Sequence, residues 1–322
     1  MIRIAGAGLA GLACALELLR RGARVILYER GQQVGQDSVA RLAGGMLAPW
    51  CERESAEAEV VTLGAAAADW WSAVTPVTRR GTLVVAPARD HAELTRFARR
   101  TSGYDQVSQT EIAALEPALS DRFANGLHFT REAHLDPRRA LTDLAAKVTA
   151  LGGEIRVGTA APAGVDLDCT GIAAALPGLR AVRGEMALLH CPEVTLTRTL
   201  RLLHPRVPIY LVPRGDSQYM LGATMVESDS SRPPTVRALI ELLSAAYTLH
   251  PAFAEAAAIE TGAGLRPAFD DNLPRLIEQD GTLFLNGLYR HGFLLAPAMA
   301  RQVAERLFPE TSDEYPREFR TA

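Results

Sequence analysis

The 322-residue sequence contains a single lysine, Lys147, although its lysines and arginines together number 34. Pyridoxal phosphate enzymes and Schiff-base aldolases need a lysine amine as nucleophile. Residues 140–151 have the apolar spacing of an amphipathic helix that ends at Gly152-Gly153, so we interpret Lys147 as a solvated residue of that helix. The scarcity of lysine argues against lysine-dependent chemistry. The absence of a Gly-Lys-Ser/Thr sequence likewise argues against a P-loop.

Cysteine is also scarce, and its pattern excludes further classes. The four cysteines, Cys14, Cys51, Cys169 and Cys191, form no C-x-x-C pair, which is typical of reduced thiols in a cytoplasmic protein. No His/Cys cluster has the spacing of a metal site, so we expect none. The net charge of −3 gives no general attraction to nucleic acid or anionic membranes. No run of 18 apolar residues follows the N-terminal segment, so no membrane span is expected.

The N-terminus is the most informative segment that is present. An apolar strand at residues 2–5 leads directly into Gly6-Ala7-Gly8-Leu9-Ala10-Gly11, and a helical pattern then runs to Gly22. A second strand, residues 24–28, ends at Glu29. In a dinucleotide-binding βαβ unit, the first glycine permits the tight turn, the second lets the backbone approach a pyrophosphate, and the third allows close helix–strand packing. The N–H groups at the helix start bind the phosphates, and Glu29 accepts hydrogen bonds from a ribose.

Two other interpretations of this segment compete with dinucleotide binding. Residues 4–19 are mostly apolar and Ala13-Cys14-Ala15 is similar to a signal-peptide cleavage site, but Glu17 interrupts the run and the apolar residues keep a helical period. The other alternative is a βαβ unit with glycines and no ligand. Glu29 would repel a 2′-phosphate, which disfavours NADP, whereas the glycine pattern alone does not choose between NAD and FAD.

The rest of the chain predicts an α/β fold in two parts. Strand and helix patterns flank an antiparallel middle region, which indicates a Rossmann-like βαβ domain with an inserted α+β domain built on an antiparallel sheet. We expect the dinucleotide-binding domain to be discontinuous, formed by residues 1–75, 128–181 and 262–322. The substrate-binding domain is expected at residues 76–127 and 182–261. The pattern further predicts a helix over residues 55–74, a helix start at Asp136-Pro137 and a C-terminal helix that Pro297 opens.

Four segments, in order along nearly the whole chain, resemble one family. They are the Gly6–Glu29 pattern, Ala43-Gly44-Gly45-Met46-Leu47-Ala48-Pro49, Gly264-Leu265-Arg266-Pro267, and Gly287-Leu288-Tyr289-Arg290-His291-Gly292-Phe293-Leu294-Leu295-Ala296-Pro297. The sequence resembles the D-amino-acid oxidase superfamily of flavoproteins, and within it the glycine oxidase branch of thiamine biosynthesis. The resemblance makes the βαβ domain an FAD-binding domain.

The resemblance implies FAD, held non-covalently, and it implies the residues that hold it. These are Gly6, Gly8, Leu9, Ala10, Gly11, Glu29 and Arg30 around the ADP part, and Gly44, Gly45, Met46, Gly171, His291, Gly292, Phe293 and Leu294 around the flavin. Backbone N–H groups of the late loop would stabilise negative charge on the reduced ring.

The resemblance also implies four substrate residues. Arg266 matches an arginine that grips the substrate carboxylate as a fork, a geometry that suits the guanidinium. Tyr210 matches a tyrosine whose hydroxyl reaches the same carboxylate, Arg290 a second arginine near the substrate, and Met225 a residue lining a small pocket. Each has an alternative: Arg266 as the partner of Asp270 or Asp271, Tyr210 as a core residue, and Arg290 as a cap of the flavin loop.

The implied activity is oxidative deamination of glycine or a similarly small amine. The imine would hydrolyse to glyoxylate and ammonia or pass to a thiazole synthase, and oxygen would be reduced to hydrogen peroxide. The alternatives are a sarcosine oxidase or D-amino-acid oxidase or dehydrogenase of the same fold, an NAD-dependent dehydrogenase, and a non-catalytic flavin-binding partner protein. We expect a cytoplasmic protein, and a homo-oligomer is compatible with the sequence.

Overall fold

The computed structural model describes residues 1–309, whose strands form two large sheets and one two-stranded ribbon. The strands are β1 Ile2–Ala5, β2 Val25–Tyr28, β3 Met46–Leu47, β4 Thr82–Val85, β5 Asp105–Ser108, β6 Asn125–Phe129, β7 Ala133–His134, β8 Glu154–Arg156, β9 Leu167–Asp168, β10 Arg180–His190, β11 Thr199–Leu202, β12 Ile209–Gly215, β13 Gln218–Gly222, β14 Val226–Glu227, β15 Ala257–Ala268, β16 Arg275–Gln279 and β17 Thr282–Asn286. The helices are α1 Leu9–Arg20, α2 Pro49–Glu52, α3 Ala58–Gly64, α4 Ala67–Ser72, α5 His91–Arg100, α6 Gln109–Leu115, α7 Pro137–Ala150, α8 Val236–Leu249 and α9 Gly292–Leu307.

The smaller sheet has six strands in the order β16-β17-β9-β1-β2-β8. All its pairings are parallel except that of the edge strand β16 with β17. Helices α1, α7 and α9 share one hydrophobic core with this sheet, which includes Ile4 of β1 and Leu12 and Leu16 of α1. All four residues of β2 are buried, as expected for a parallel sheet covered by helices. Residues 4–19, for which a signal peptide was the alternative, thus form part of β1 and α1, where Glu17 is buried and accepts a hydrogen bond from Trp70 Nε1.

The larger sheet has nine strands in the order β14-β10-β13-β12-β11-β4-β6-β5, with β15 paired to the other side of β10. Its pairings are antiparallel except that β11 runs parallel to β4. Successive residues of a strand face opposite sides. In β12, Ile209 and Leu211 pack with α8 in one core, whereas Tyr210 and Val212 lie on the opposite face. That opposite face carries the candidate site.

Three predicted domain boundaries fall inside strands of the larger sheet. The boundary at 127/128 divides β6, that at 181/182 divides β10 and that at 261/262 divides β15, although all three strands pair within this sheet. Boundaries after residues 129, 179 and 268 keep these strands intact. The segment Gly264-Leu265-Arg266-Pro267 lies in β15, so the predicted range 262–322 takes in part of a strand of the larger sheet. The division into two domains itself stays a prediction.

Two predicted helices also differ from the structure. The helix expected over residues 55–74 is two shorter helices, α3 and α4. The C-terminal helix begins at Gly292 rather than at Pro297, which lies inside α9. A proline in a helix lacks the N–H that would bond to the carbonyl four residues earlier. Here that carbonyl belongs to Phe293, and it accepts a hydrogen bond from Trp71 Nε1 at 2.7 Å instead. The indole thus satisfies the group that the proline leaves free.

Candidate active site

One cavity of about 1300 Å³ is lined by residues from both large sheets. It exceeds the roughly 300–1,000 Å³ of ordinary small-ligand pockets, which fits a dinucleotide together with a small substrate. All but one of the predicted cofactor and substrate residues line it: Gly6, Gly8, Leu9, Ala10, Glu29, Arg30, Gly44, Gly45, Met46, Gly171, Tyr210, Met225, Arg266, Arg290, His291, Gly292, Phe293 and Leu294. The exception is Gly11.

The glycine loop at one end of this cavity has the geometry that a pyrophosphate needs. Gly6 has φ of 88°, and a Cβ there would lie 2.9 Å from the carbonyl oxygen of Cys169. A Cβ on Gly11 would lie 1.9 Å from the Gly6 carbonyl oxygen, so Gly11 serves helix packing rather than the cavity wall. Helix α1 begins after Gly8 without a side-chain cap. Its first N–H groups are therefore available to an anionic ligand.

The Glu29 carboxylate is held in place by the backbone around it. Its Oε2 accepts a hydrogen bond from Ala7 N at 3.1 Å and its Oε1 one from Gly31 N at 2.9 Å. A carboxylate accepts about four hydrogen bonds, so capacity remains for ribose hydroxyls. Ser38, which the sequence interpretation missed, also lines the cavity, and its Oγ lies 3.3 Å from the position of a Cβ on Gly8.

A half-buried arginine, Arg214, fixes the backbone of the Gly44-Gly45 loop. Arg214 donates from Nη1 to Leu135 O at 2.7 Å and from Nη2 to Ala43 O and Gly44 O, both at 3.0 Å. Burial of this cation lowers the pKa of Arg214 to about 10. The glycine at 44 is required because a Cβ there would lie 2.7 Å from Tyr210 Cε2. Sequence reasoning missed Arg214, although it follows Tyr210 by four residues on the same strand face.

A second helix begins at the same cavity. Helix α9 starts after His291, which provides no side-chain cap, and a Cβ on Gly292 would lie 3.0 Å from Leu9 Cδ2 of α1. Gly171 lies nearby with φ of 63°, and its carbonyl accepts a hydrogen bond from Asn286 Nδ2 at 2.8 Å. Two uncapped helix N-termini thus lie at one cavity, a favourable arrangement for a ligand with separate regions of negative charge.

Glycines of the larger sheet make room for two long side chains over its surface. Strand pairing aligns Arg201, Tyr210, Gly222 and Met186 in one row across β11, β12, β13 and β10. A Cβ on Gly222 would lie 2.6 Å from the Tyr210 hydroxyl, and a Cβ on Gly184 would lie 2.0 Å from Arg266 Nη2. The phenol and the guanidinium therefore lie flat on the same sheet face.

Arg266 has few hydrogen-bond partners in the protein. Its Nη1 donates to Thr224 O at 3.1 Å, and within residues 1–309 no carboxylate lies within salt-bridge distance of it. Asp271 pairs instead with Arg275 at 2.8 Å, and Asp270 lies 3.9 Å from Arg180, so the alternative of an Arg266 pair with either aspartate is wrong. A guanidinium has five N–H donors, and most of them remain available to a ligand.

Arg290, by contrast, is already paired. Its Nη2 lies 2.9 Å from Glu52 Oε2, while Glu52 Oε1 lies 3.0 Å from Arg201 Nη1 and His291 Nδ1 lies 3.6 Å from Oε2. Burial alone would raise the pKa of Glu52, but the charges of Arg290 and Arg201 outweigh it and lower the pKa to about 2. Burial lowers the pKa of His291 to about 4, so its imidazole is neutral at pH 7. The predicted substrate role of Arg290 remains a prediction, now with Glu52 as its protein partner.

Sequence reasoning missed Glu52 and Arg201, which both line the cavity. The only sequence signal for Glu52 was its position three residues after Pro49, at the end of the Gly44–Pro49 segment. Met225 lies at the cavity mouth with 53% of its surface exposed, and its Sδ is 3.7 Å from the Tyr289 hydroxyl. It therefore borders the entrance rather than the inner wall.

A further buried carboxyl supports the helix that carries Glu52. Glu132 Oε1 accepts a hydrogen bond from Cys51 N in α2 at 2.7 Å, and α2 has no side-chain cap from its own N-cap residue. Glu132 Oε2 is buried without a hydrogen-bond partner among the described residues. Burial raises the pKa of Glu132 to about 8, so this carboxyl is mostly protonated at neutral pH.

Comparison with known proteins identifies the family. The profile of the family described as FAD dependent oxidoreductase (DAO) matches residues 2–306. The chain belongs to this family. FAD is accordingly its cofactor, which removes the NAD-dependent alternative and confirms the predicted superfamily.

Several relatives align over most of the chain. A Rhizobium etli protein that carries the name thiamine biosynthesis oxidoreductase ThiO is 57% identical over 96% of this chain and 97% of its own length. A glycine oxidase of Pseudomonas aeruginosa is 28% identical over 94% of this chain and 93% of its own. A bifunctional protein ThiO/ThiG of Nostoc sp. is 27% identical over 97% of this chain, which matches 53% of that longer protein.

The fold is shared with a solved glycine oxidase. The crystal structure of the Geobacillus kaustophilus enzyme superimposes with a TM-score of 0.81 at 21% identity, over 97% of this chain and 95% of the other. This likeness confirms the predicted fold class. Within residues 1–309, no helix is long and apolar enough to cross a bilayer, and no three His, Cys, Asp or Glu side chains form a potential metal site.

Proposed function

We propose that the protein catalyses the FAD-dependent oxidative deamination of glycine or a similarly small amino acid. The net reaction consumes glycine, oxygen and water and yields glyoxylate, ammonia and hydrogen peroxide. The observation that carries the proposal is Arg266, a cavity guanidinium with one protein acceptor and no carboxylate partner among the described residues. The ThiO relative at 57% identity and the P. aeruginosa glycine oxidase support the same activity.

The substrate carboxylate is the natural partner of Arg266. Parallel N–H donors of a guanidinium meet the two oxygens of a carboxylate in a bidentate pair. The Tyr210 hydroxyl lies on the same sheet face and donates to the same carboxylate. Burial raises the pKa of Tyr210 above its ordinary value, so the hydroxyl keeps its proton at neutral pH. These two residues orient the substrate in the cavity.

The cofactor residues present fit FAD. The uncapped start of α1 accommodates the pyrophosphate, Glu29 the ribose of the adenosine, and the Gly44-Gly45 loop and the start of α9 the flavin. Bound FAD supplies the two-electron oxidation of the substrate Cα–N bond. The protein supplies orientation and the electrostatic environment. The neutral, buried His291 is a structural residue in this scheme, since a substrate that enters as a free amine needs no general base.

The pathway and partner are part of the same proposal. The name of the R. etli relative supports a role in thiamine biosynthesis. The occurrence of ThiO joined to ThiG in one Nostoc chain supports a thiazole synthase as the protein that receives the product. We also propose that oxygen is the electron acceptor and that the protein is located in the cytoplasm.

The amine substrate is tested by peroxide formation from glycine, sarcosine and D-alanine at matched concentrations. We expect the highest kcat/KM with glycine, because all three substrates offer a carboxylate to Arg266, but sarcosine adds a methyl group on nitrogen and D-alanine adds one on the α-carbon. A preference for sarcosine would indicate a sarcosine oxidase instead, and a preference for D-alanine would indicate a D-amino-acid oxidase. Reduction of an added dye without peroxide would indicate a dehydrogenase.

A further inference from the structure

The segment around Thr224 interrupts the larger sheet next to the cavity. Along β10, residues 186–190 pair with β13 and residues 182–183 with β14, so Gly184 and Glu185 face the connecting segment between those strands. There Thr224 N donates to Glu185 O at 3.3 Å, and Thr224 Oγ1 accepts from Glu185 N at 2.9 Å. The same hydroxyl donates to Glu185 Oε2 at 2.9 Å. Three hydrogen bonds thus fix Thr224 to one residue.

Glu185 is itself firmly held. It is 2% exposed, and its Oε1 lies 3.0 Å from Arg183 Nη2 and accepts from Thr235 N at 2.9 Å. Arg183 in turn donates to the carbonyls of Ser230, Arg232 and Pro233 at 2.6–2.8 Å. The carboxylate therefore has a counter-charge and a fixed position, and it provides a rigid acceptor for the Thr224 hydroxyl.

The other side of Thr224 faces the predicted carboxylate-binding residue. Thr224 O is the one hydrogen-bond acceptor that the described residues offer to Arg266, at 3.1 Å from Nη1. The guanidinium lies flat over Gly184, the neighbour of Glu185, with no side chain between. Its direction in the cavity is thus set by a single carbonyl, and the Thr224 hydroxyl determines where that carbonyl lies.

We propose that Thr224 and Glu185 are positioning residues that hold Arg266 in the orientation in which it binds a substrate carboxylate. The inference rests on the proposed function, since it assigns the carboxylate to Arg266. Neither residue contacts the substrate; each acts through the guanidinium. The opposing hypothesis is that this network is purely structural and serves only to anchor the segment before α8.

The test is Thr224→Val, which removes the hydroxyl at nearly constant volume, in the FAD-loaded protein. We expect KM for glycine to rise about tenfold. The dissociation constant of acetate, a carboxylate probe whose binding is followed by flavin absorbance, should rise by the same factor. This is the effect of weakening roughly one charge-assisted hydrogen bond. The kcat and the FAD dissociation constant should stay within about twofold of the wild type, and Thr224→Ser should restore acetate binding. Thr224→Ala should give the same rise if the valine variant does not fold.

Thr235→Val is the matched control. Its hydroxyl caps α8 by accepting from Ala238 N, while its contact with Glu185 is through the backbone and is retained. It should lower the melting temperature without changing KM or acetate binding. Unchanged acetate binding in a folded Thr224→Val or Thr224→Ala variant, or an equal rise in Thr235→Val, would overturn the inference. Failure of the wild type to bind acetate and to oxidise glycine would instead overturn the proposed function.

Discussion

Replacing Glu52 by glutamine tests the charge arrangement at the substrate end of the cavity. The carboxylate is 6% exposed and lies between two arginines, Arg201 and Arg290, at 3.0 and 2.9 Å. Glutamine has nearly the same shape but leaves both guanidinium groups without their counter-charge. Breaking a buried ion pair by removing one partner costs about 3–5 kcal/mol, because the remaining charge stays buried and uncompensated.

The lowered pKa of Glu52 expresses the same ion-pair effect as a pH dependence. The fall from 4.5 to about 2 corresponds to about 3 kcal/mol of stabilisation of the ionised form. Because the pKa in the folded state lies below its value in the unfolded chain, this stability is complete above about pH 4.5 and is lost as the pH falls to about 2. The deficit of Glu52→Gln relative to the wild type should shrink over the same range.

The assay is urea unfolding of both proteins at fixed, saturating FAD, since bound cofactor adds its own stabilisation. Glu227→Gln is the control, because its pair with Arg180 leaves 68% of the carboxylate side chain exposed and should contribute about 0–1 kcal/mol. We expect a loss of about 3 kcal/mol for Glu52→Gln at pH 7. A loss no larger than that of Glu227→Gln, or one that does not change with pH, would show that Glu52 is not a stabilising counter-charge of the two arginines.

Three further predictions concern neighbouring residues. Arg266→Ala should raise KM for glycine by about 10²–10³-fold, the equivalent of two charge-assisted hydrogen bonds, while FAD stays bound; loss of flavin would give Arg266 a structural role. Gly184→Ala should raise KM at least tenfold, since the new Cβ would lie 2.0 Å from Arg266 Nη2; unchanged KM in the folded variant would contradict this. Glu132, whose pKa is raised to about 8, contributes stability that is complete below about pH 4.5 and is lost as the pH rises through 8. Between pH 6 and 9, the free energy of unfolding of Glu132→Gln should therefore rise relative to that of the wild type. Parallel pH profiles would argue against a buried, protonated carboxyl.

Local signals in the sequence predicted much of the fold and the cofactor end of the cavity. The glycine spacing and Glu29 describe contacts made within one βαβ unit, so 29 consecutive residues contain the whole pattern. The Asp136 side chain caps α7 by accepting from Arg138 N and Arg139 N, as the Asp-Pro pair predicted. Such features depend on near neighbours along the chain and are accessible to sequence reasoning.

Long-range contacts explain what was missed. Pro297 was taken as a helix start because its missing N–H is tolerated there, but Trp71, more than 200 residues away, satisfies the freed carbonyl inside α9. Glu52, Arg201 and Arg290 come from three separate segments and meet only in the folded chain. Nothing local distinguishes these charged residues from the many others on the surface.

We propose that bound FAD and the Arg266 site together oxidise glycine. The most direct test is to mix the purified, FAD-loaded protein with glycine in the absence of oxygen and to follow the flavin absorbance. We expect the absorbance of oxidised flavin to disappear after about one turnover per bound FAD and to return when oxygen is admitted. Flavin absorbance that glycine leaves unchanged would contradict this proposal and favour a non-catalytic flavin-binding protein or a different amine substrate.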